Sequence, residues 1–134
     1  MKESAFTDKF IPYMKHKWPY MWSMKIHGHE MQQSSIPDFL FCINSVFVAI
    51  EFKVQRDGRI STTPLQMREL NAIQNAKGVA LLVAYDENIC KILVKKKRID
   101  YKSIKTKYIK MDWDFEFSKY ETVIDLIDVM IGRK

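Results

Sequence analysis

At 134 residues, nearly half of them hydrophobic, the chain is sized for one compact domain with its own core. No apolar run reaches the roughly 20 residues of a membrane-spanning helix, and Met1-Lys2-Glu3 leads into amphipathic sequence instead of a secretory signal. A soluble cytoplasmic protein is therefore expected, and the formal charge of +6 suits a polyanionic partner.

Residues 2–17 predict a first helix, with Phe6, Phe10, Ile11 and Met14 forming one stripe. Pro12 falls inside it and predicts a kink or break, because proline removes a helical hydrogen bond and crowds the preceding turn. Glu3 sits in the first turn, where an acid complements the helix dipole. Trp18 and Pro19 end the helix, and residues 20–27 read as a short strand. His27, His29 and Glu30 follow. With no cysteine or third histidine nearby they do not make a zinc site, and His29, Gln32 and Gln33 read as a loop near the next strand.

Residues 36–54, I-P-D-F-L-F-C-I-N-S-V-F-V-A-I-E-F-K-V, read as two apolar strands joined by a tight turn at Asn44-Ser45. A two-residue turn fixes the register. Val46 then faces Ile43, Ala49 faces Leu40, and Glu51 faces Asp38. Directly opposed residues share a face with Cβ atoms roughly 5 Å apart, and Lys53, two residues past Glu51, shares it too. The second strand is apolar on its opposite face, at Val46, Val48, Ile50, Phe52 and Val54, and partly apolar on this one, so it reads as a covered central strand. Asp38 at a strand start and a surface Glu51–Lys53 ion pair would explain the charges more simply, but not on a covered strand. Two neighbouring carboxylates repel unless a proton or cation lies between them. A hard divalent cation such as Mg²⁺ takes such oxygen ligands. Lys53 could then orient a water and offset developing negative charge.

The polar stretch 55–62 carries an Asp57-Gly58 turn, and Arg56 and Arg59 lie where a loop past Lys53 could meet phosphates or simply face solvent. Thr63-Pro64-Leu65-Gln66 predicts a helix start with a capping box, and Ala76-Lys77-Gly78 predicts its end. Residues 79–85 predict a strand parallel to the Glu51 strand through a right-handed crossover, and residues 89–94 a further strand. Cys42 and Cys90 lie in these apolar runs and read as reduced core residues. Lys95, Lys96, Lys97 and Arg98 form a basic run, continued by Lys102, Lys105, Lys107 and Lys110 with Tyr101 and Tyr108 between them. Such a run is either solvated surface or a set of duplex-backbone contacts. Residues 111–117 predict a strand or an irregular packing segment. Residues 118–131 predict a last helix, with Ser118 and Glu121 as its capping box and Gly132 as its stop.

The P-D, hairpin, E-x-K arrangement resembles the PD-(D/E)xK nuclease superfamily. Its flanks, K-I-H-G-H-E-M-Q-Q-S-S-I-P-D-F-L and T-P-L-Q-M-R-E-L-N-A-I-Q-N-A-K-G-V-A-L-L-V, resemble VRR-NUC-type and phage Holliday-junction-resolvase-like members over roughly the first two thirds of the chain. Ser35 stands where many relatives have glycine. The resemblance implies an α/β fold with a mixed central sheet flanked by helices in the order αβββαβ. It implies a Mg²⁺-dependent endodeoxyribonuclease, with Mn²⁺ able to substitute, acting on Holliday junctions or other branched DNA. Asp38, Glu51 and the backbone carbonyl of Phe52 would hold the metal, Glu3 would add a carboxylate directly or through water, Lys53 would be the catalytic lysine, and Gln66 would join the site. Arg56, Arg59 and Lys95 to Arg98 would contact DNA. A homodimer in a prokaryotic or phage-infected cell would fit the same relatives. The competing expectations are a non-catalytic DNA-binding or assembly module on the same fold and, with no recognition insert in so short a chain, less readily a sequence-specific restriction-type enzyme.

Overall fold

The computed structural model describes residues 1–26 and 35–133. His27, His29, Glu30, Gln32 and Gln33 therefore lie outside the described residues. Helix α1 spans Glu3–Lys17. Strands β1 (Trp22–Lys25), β2 (Phe39–Ile43) and β3 (Val46–Gln55) follow, then the short β4 (Ile60–Ser61) and helix α2 (Pro64–Asn75). Strands β5 (Val79–Asp86) and β6 (Lys91–Lys95) lead through a single 3₁₀ turn at Tyr101–Ser103 to β7 (Tyr108–Ile109), β8 (Phe115–Phe117) and helix α3 (Tyr120–Gly132).

Six strands form one sheet in the order β1-β2-β3-β5-β6-β8. Among the described residues only β3 and β5 pair in parallel, through α2, so the sheet is mixed as expected. The β2–β3 hairpin has the predicted register, with Val46 opposite Ile43 and Ala49 opposite Leu40. Asn44 and Ser45 both take left-handed φ, +51° and +64°, as a two-residue turn of matching twist requires.

Alternation along β3 and β5 divides the core. Val48, Ile50, Phe52, Leu81 and Val83 pack with Phe6, Phe10, Ile124 and Ile127 under α1 and α3. Ala80, Leu82 and Ala84 pack with Met67 and Leu70 under α2. Glu51 and Lys53 alternate with the first set, so the sheet turns them to the α2 side.

Three expectations are corrected. Helix α1 runs through Pro12 without a break. Pro12 and Asp8 are exposed, so the Asp8 carbonyl that loses its helical donor can bond water. Ser118 does not cap α3: the helix starts at Tyr120 after Lys119, with no side-chain cap bond. Strand β8 reaches Phe117, and the Ser118 hydroxyl accepts from Lys91 Nζ at 2.6 Å instead. Cys90 is not in the core. It is exposed in the turn before β6 with φ +54°, while Cys42 is half-buried in β2.

Candidate functional site

The site begins with a mismatch of strand lengths. β3 has ten residues and its partner β2 has five, so β3 overhangs beyond Phe39. Continuing the register places Asp38 opposite Glu51 and Pro37 opposite Phe52. In an antiparallel ladder with this turn, Phe52 directs both its N–H and its C=O toward the β2 side. The Phe52 N–H is taken by Asp38 Oδ2 at 2.9 Å. Pro37 has no N–H to offer the Phe52 carbonyl. One residue pair further along the overhang, the Val54 amide favours the ionised form of Glu3 at the start of α1.

Glu51 and Lys53 are 3% and 5% exposed, and their side chains lie 3.5 Å apart, Nζ to Oε2. Burial pushes the Glu51 carboxyl well above the usual carboxylate range. The negative charge of Asp38 pushes the same way, and Lys53 opposes both. Burial also raises Asp38, against the Phe52 amide and the charges of Lys53 and Lys25. Glu3 is raised by burial of its carboxyl and lowered first by Lys53, although the residue as a whole is exposed. Glu3, Asp38, Glu51 and Lys53 thus act on one another electrostatically.

Helix α2 delivers Gln66 to the same place. Thr63 accepts from the Gln66 backbone N–H at 3.2 Å, and Gln66 Oε1 accepts from the Thr63 N–H at 3.3 Å, which closes the predicted capping box. The same Oε1 accepts from Lys53 Nζ at 3.1 Å and from Thr62 Oγ1 at 3.0 Å. Gln66 therefore has both roles open to it, helix cap and neighbour of Lys53. Thr62, 2% exposed, is a partner that motif reasoning missed. Its only signal was a second hydroxyl ahead of the N-cap. Gln55, next on the same face of β3, is engaged elsewhere, donating to Asp86 and accepting from Trp113.

The donor set suits a hard divalent cation. The buried Glu51 carboxylate, the half-buried Asp38 carboxylate and a backbone carbonyl offer oxygen ligands, and a single ammonium does not balance their charge. Among the described residues no three His, Cys, Asp or Glu side chains close into a metal cage, the trio of Glu3, Asp38 and Glu51 included. Mg²⁺ is commonly bound through one or two carboxylates plus water and phosphate, so it does not require such a cage.

The basic residues distribute unevenly. Arg56 is tied to Glu87 at 3.1 Å and to the Met1 carbonyl at 2.7 Å. Arg59 lines a cleft of about 310 Å³ with Glu3, Val54, Ser61 and Tyr108. Lys95 is buried against Asp114 at 3.5 Å, so its ammonium is not presented at the surface. The Lys96 and Lys97 amides also bond Asp114, and Arg98 bonds Asn75. Asn75 ends α2, whereas Gln66 begins it, so roughly 13 Å of helix separates Arg98 from the Lys53 end. Arg98 is thus placed away from the acids, whereas Lys95 lies in register with Glu51 through Leu82, two strands along, with its ammonium paired to Asp114.

The fold is similar to that of a Holliday junction resolvase from the archaeal hyperthermophile Archaeoglobus fulgidus, with a TM-score of 0.53 and 16% identity over 95% of both chains. A bacterial homing endonuclease aligns with a TM-score of 0.46 and 12% identity, over 98% of this chain and 93% of its own. No family model and no curated relative matches the sequence, so the VRR-NUC-type likeness rests on the motifs alone.

Proposed function

We propose that the chain is a divalent-metal-dependent endonuclease that hydrolyses DNA phosphodiester bonds, with Holliday junctions or other branched DNA as its substrates. The observation that carries this reading is the convergence of Asp38, Glu51 and Lys53 on one face of adjacent strands, with Lys53 held by Gln66. The fold it shares with a Holliday junction resolvase supports the substrate class.

In this reading Asp38, Glu51 and the Phe52 carbonyl hold Mg²⁺, or Mn²⁺ in its place, and Glu3 assists through water. Bound there, the ion lowers the pKa of water and offsets charge on the phosphate. Lys53 keeps its ammonium fixed between Glu51 and Gln66, where it orients the attacking water and meets the negative charge that develops on the phosphoryl oxygens. Asp38 is itself fixed by the Phe52 amide, so the ligands need little reorganisation when substrate arrives.

The test is a panel of end-labelled linear, nicked, flapped and four-way DNAs incubated with Mg²⁺, Mn²⁺ or EDTA. Cleavage is expected with either metal and not in EDTA, strongest on branched substrates, and slower by at least about 100-fold in Lys53→Ala. Binding without cleavage of any substrate would favour the non-catalytic module. Parental cleavage by Lys53→Ala would remove the lysine from its role.

A further inference from the structure

After β6 the chain turns back along α2 instead of leaving the domain. The Lys96 carbonyl accepts from Gln74, near the end of α2, at 2.8 Å. Buried Asn71, mid-helix, clamps Ile99 by both its N–H and its carbonyl, at 3.0 and 2.7 Å. At the helix start the Thr62 N–H donates to the Lys107 carbonyl at 2.9 Å. Strands β4 and β7 pair there, with Ser61 opposite Tyr108 and Ile60 opposite Ile109, as a two-stranded ribbon separate from the main sheet. The chain is thus led from the far end of α2 to the Lys53 end.

The result is a cleft of about 520 Å³ with Lys53, Thr62 and Gln66 on one wall and Ile104, Lys105, Thr106 and Lys107 on the other. A neighbouring cleft of about 350 Å³ adds Arg59 and Lys110 on the far side of Tyr108. Arg59, Lys105, Lys107 and Lys110 are exposed, and among the described residues none has an ion-pair partner. Tyr108, 58% exposed, holds the Lys107 ammonium 5.6 Å from its ring centre. Four cations without ion-pair partners around clefts that hold no acidic side chain, one of them lined by Lys53, make a surface that attracts a polyanion. In the Lys95 to Arg98 run the Lys95 ammonium is paired with Asp114 and the Arg98 guanidinium bonds Asn75, and none of the four lines either cleft.

We propose that the β4–β7 ribbon is the element that grips the nucleic-acid backbone, with Arg59, Lys105, Lys107 and Lys110 meeting phosphates on either side of the one placed at Lys53. The inference takes its ligand, DNA, from the nuclease reading. It assigns the phosphate contacts to the ribbon and not to the Lys95 to Arg98 run. Sequence-blind contacts of this kind are recognised by their salt dependence, because each neutralised phosphate releases counterions.

The test measures binding of a fluorescein-labelled four-way junction and a labelled duplex by anisotropy in EDTA, across a salt series. Three variants join the parent: Lys105→Ala/Lys107→Ala/Lys110→Ala, the same positions changed to arginine, and Lys96→Ala/Lys97→Ala/Arg98→Ala. The ribbon alanine variant should bind at least about 10-fold more weakly, with the log–log salt slope reduced by about 2 to 3. Arginine should restore both, and the 96–98 variant should keep the parental slope. A ribbon alanine variant that binds like the parent, a 96–98 variant that loses more slope than it does, or a parent that binds neither DNA overturns the proposal. Cleavage by the parent in Mg²⁺ is scored separately. If the ribbon governs binding and no substrate is ever cut, the nuclease reading fails and the ribbon assignment stands.

Discussion

Truncating Gln66 to alanine tests two consequences of one oxygen. Its Oε1 accepts from Lys53 Nζ, Thr62 Oγ1 and the Thr63 amide. The backbone half of the capping box survives the substitution, because it uses the Gln66 N–H and the Thr63 hydroxyl. What is lost is an acceptor for a hydroxyl 2% exposed and an ammonium 5% exposed. A buried donor left without its acceptor costs about 1–3 kcal/mol. Lys53 keeps Glu51 at 3.5 Å, which places its share at the low end. The sum is roughly 2–4 kcal/mol, a large part of the 5–15 kcal/mol typical of a domain. With a urea m-value of about 2 kcal/mol/M, the unfolding midpoint should fall by about 1–2 M. Cleavage of branched DNA should fall as well, measured well below that midpoint, because the Lys53 ammonium is no longer fixed. Gln66→Glu retains an acceptor at the third helical position and should recover most of the stability, but not the cleavage, since it adds negative charge beside Glu51. An alanine variant with the parental midpoint refutes the burial argument. One with a lowered midpoint and the parental cleavage rate leaves Gln66 a helix cap and nothing more.

Glu51→Gln should raise the urea midpoint at pH 7 in EDTA while abolishing cleavage. Burial and Asp38 hold the Glu51 carboxyl above its ordinary 4.5, so above that pH the folded chain keeps a proton that the unfolded chain has released. Parental stability must then decline as pH rises from 4.5 through the folded value. The variant should show a shallower decline, and an equally steep one counts against the assignment. Added Mg²⁺ at about 100 times its dissociation constant should stabilise the parent by about 2.7 kcal/mol in thermal melts. An equal gain in Asp38→Asn/Glu51→Gln would place the ion elsewhere. Pro37→Ala restores an N–H opposite the Phe52 carbonyl, so it should reduce the Mg²⁺-dependent gain without lowering stability in EDTA. Unchanged Mg²⁺ binding by isothermal titration would show that the carbonyl is not a ligand.

The hairpin was legible because its information is local. Two residues at Asn44 and Ser45 set the pairing, and the pairing alone puts Asp38 across from Glu51 and Lys53 beside it. The α2 cap was legible for the same reason, as hydroxyl, proline and glutamine stand within four positions. Ser118 had the same local signature, but a cross-strand contact to Lys91 and the extension of β8 outcompeted it. No break follows at Pro12, because its cost depends on whether the orphaned carbonyl reaches water, which only the helix's orientation decides. Which basic residues lie near the site was not legible, for a larger reason. Charge density along a sequence does not say where a return segment lies, and three long-range contacts, at Gln74, Asn71 and Thr62, decide which lysines come near Lys53.

Thr62 belongs to two systems at once. Its amide is bonded to Lys107 on the ribbon, and its hydroxyl to the oxygen that also receives Lys53. A load placed on one end of this short relay is felt at the other. If the ribbon seats a strand as proposed, seating it and aiming the ammonium are coupled, and a poorly fitting substrate should be penalised in turnover as well as in affinity. Selectivity for DNA shape would then be read in kcat, through a threonine between the ribbon and Lys53.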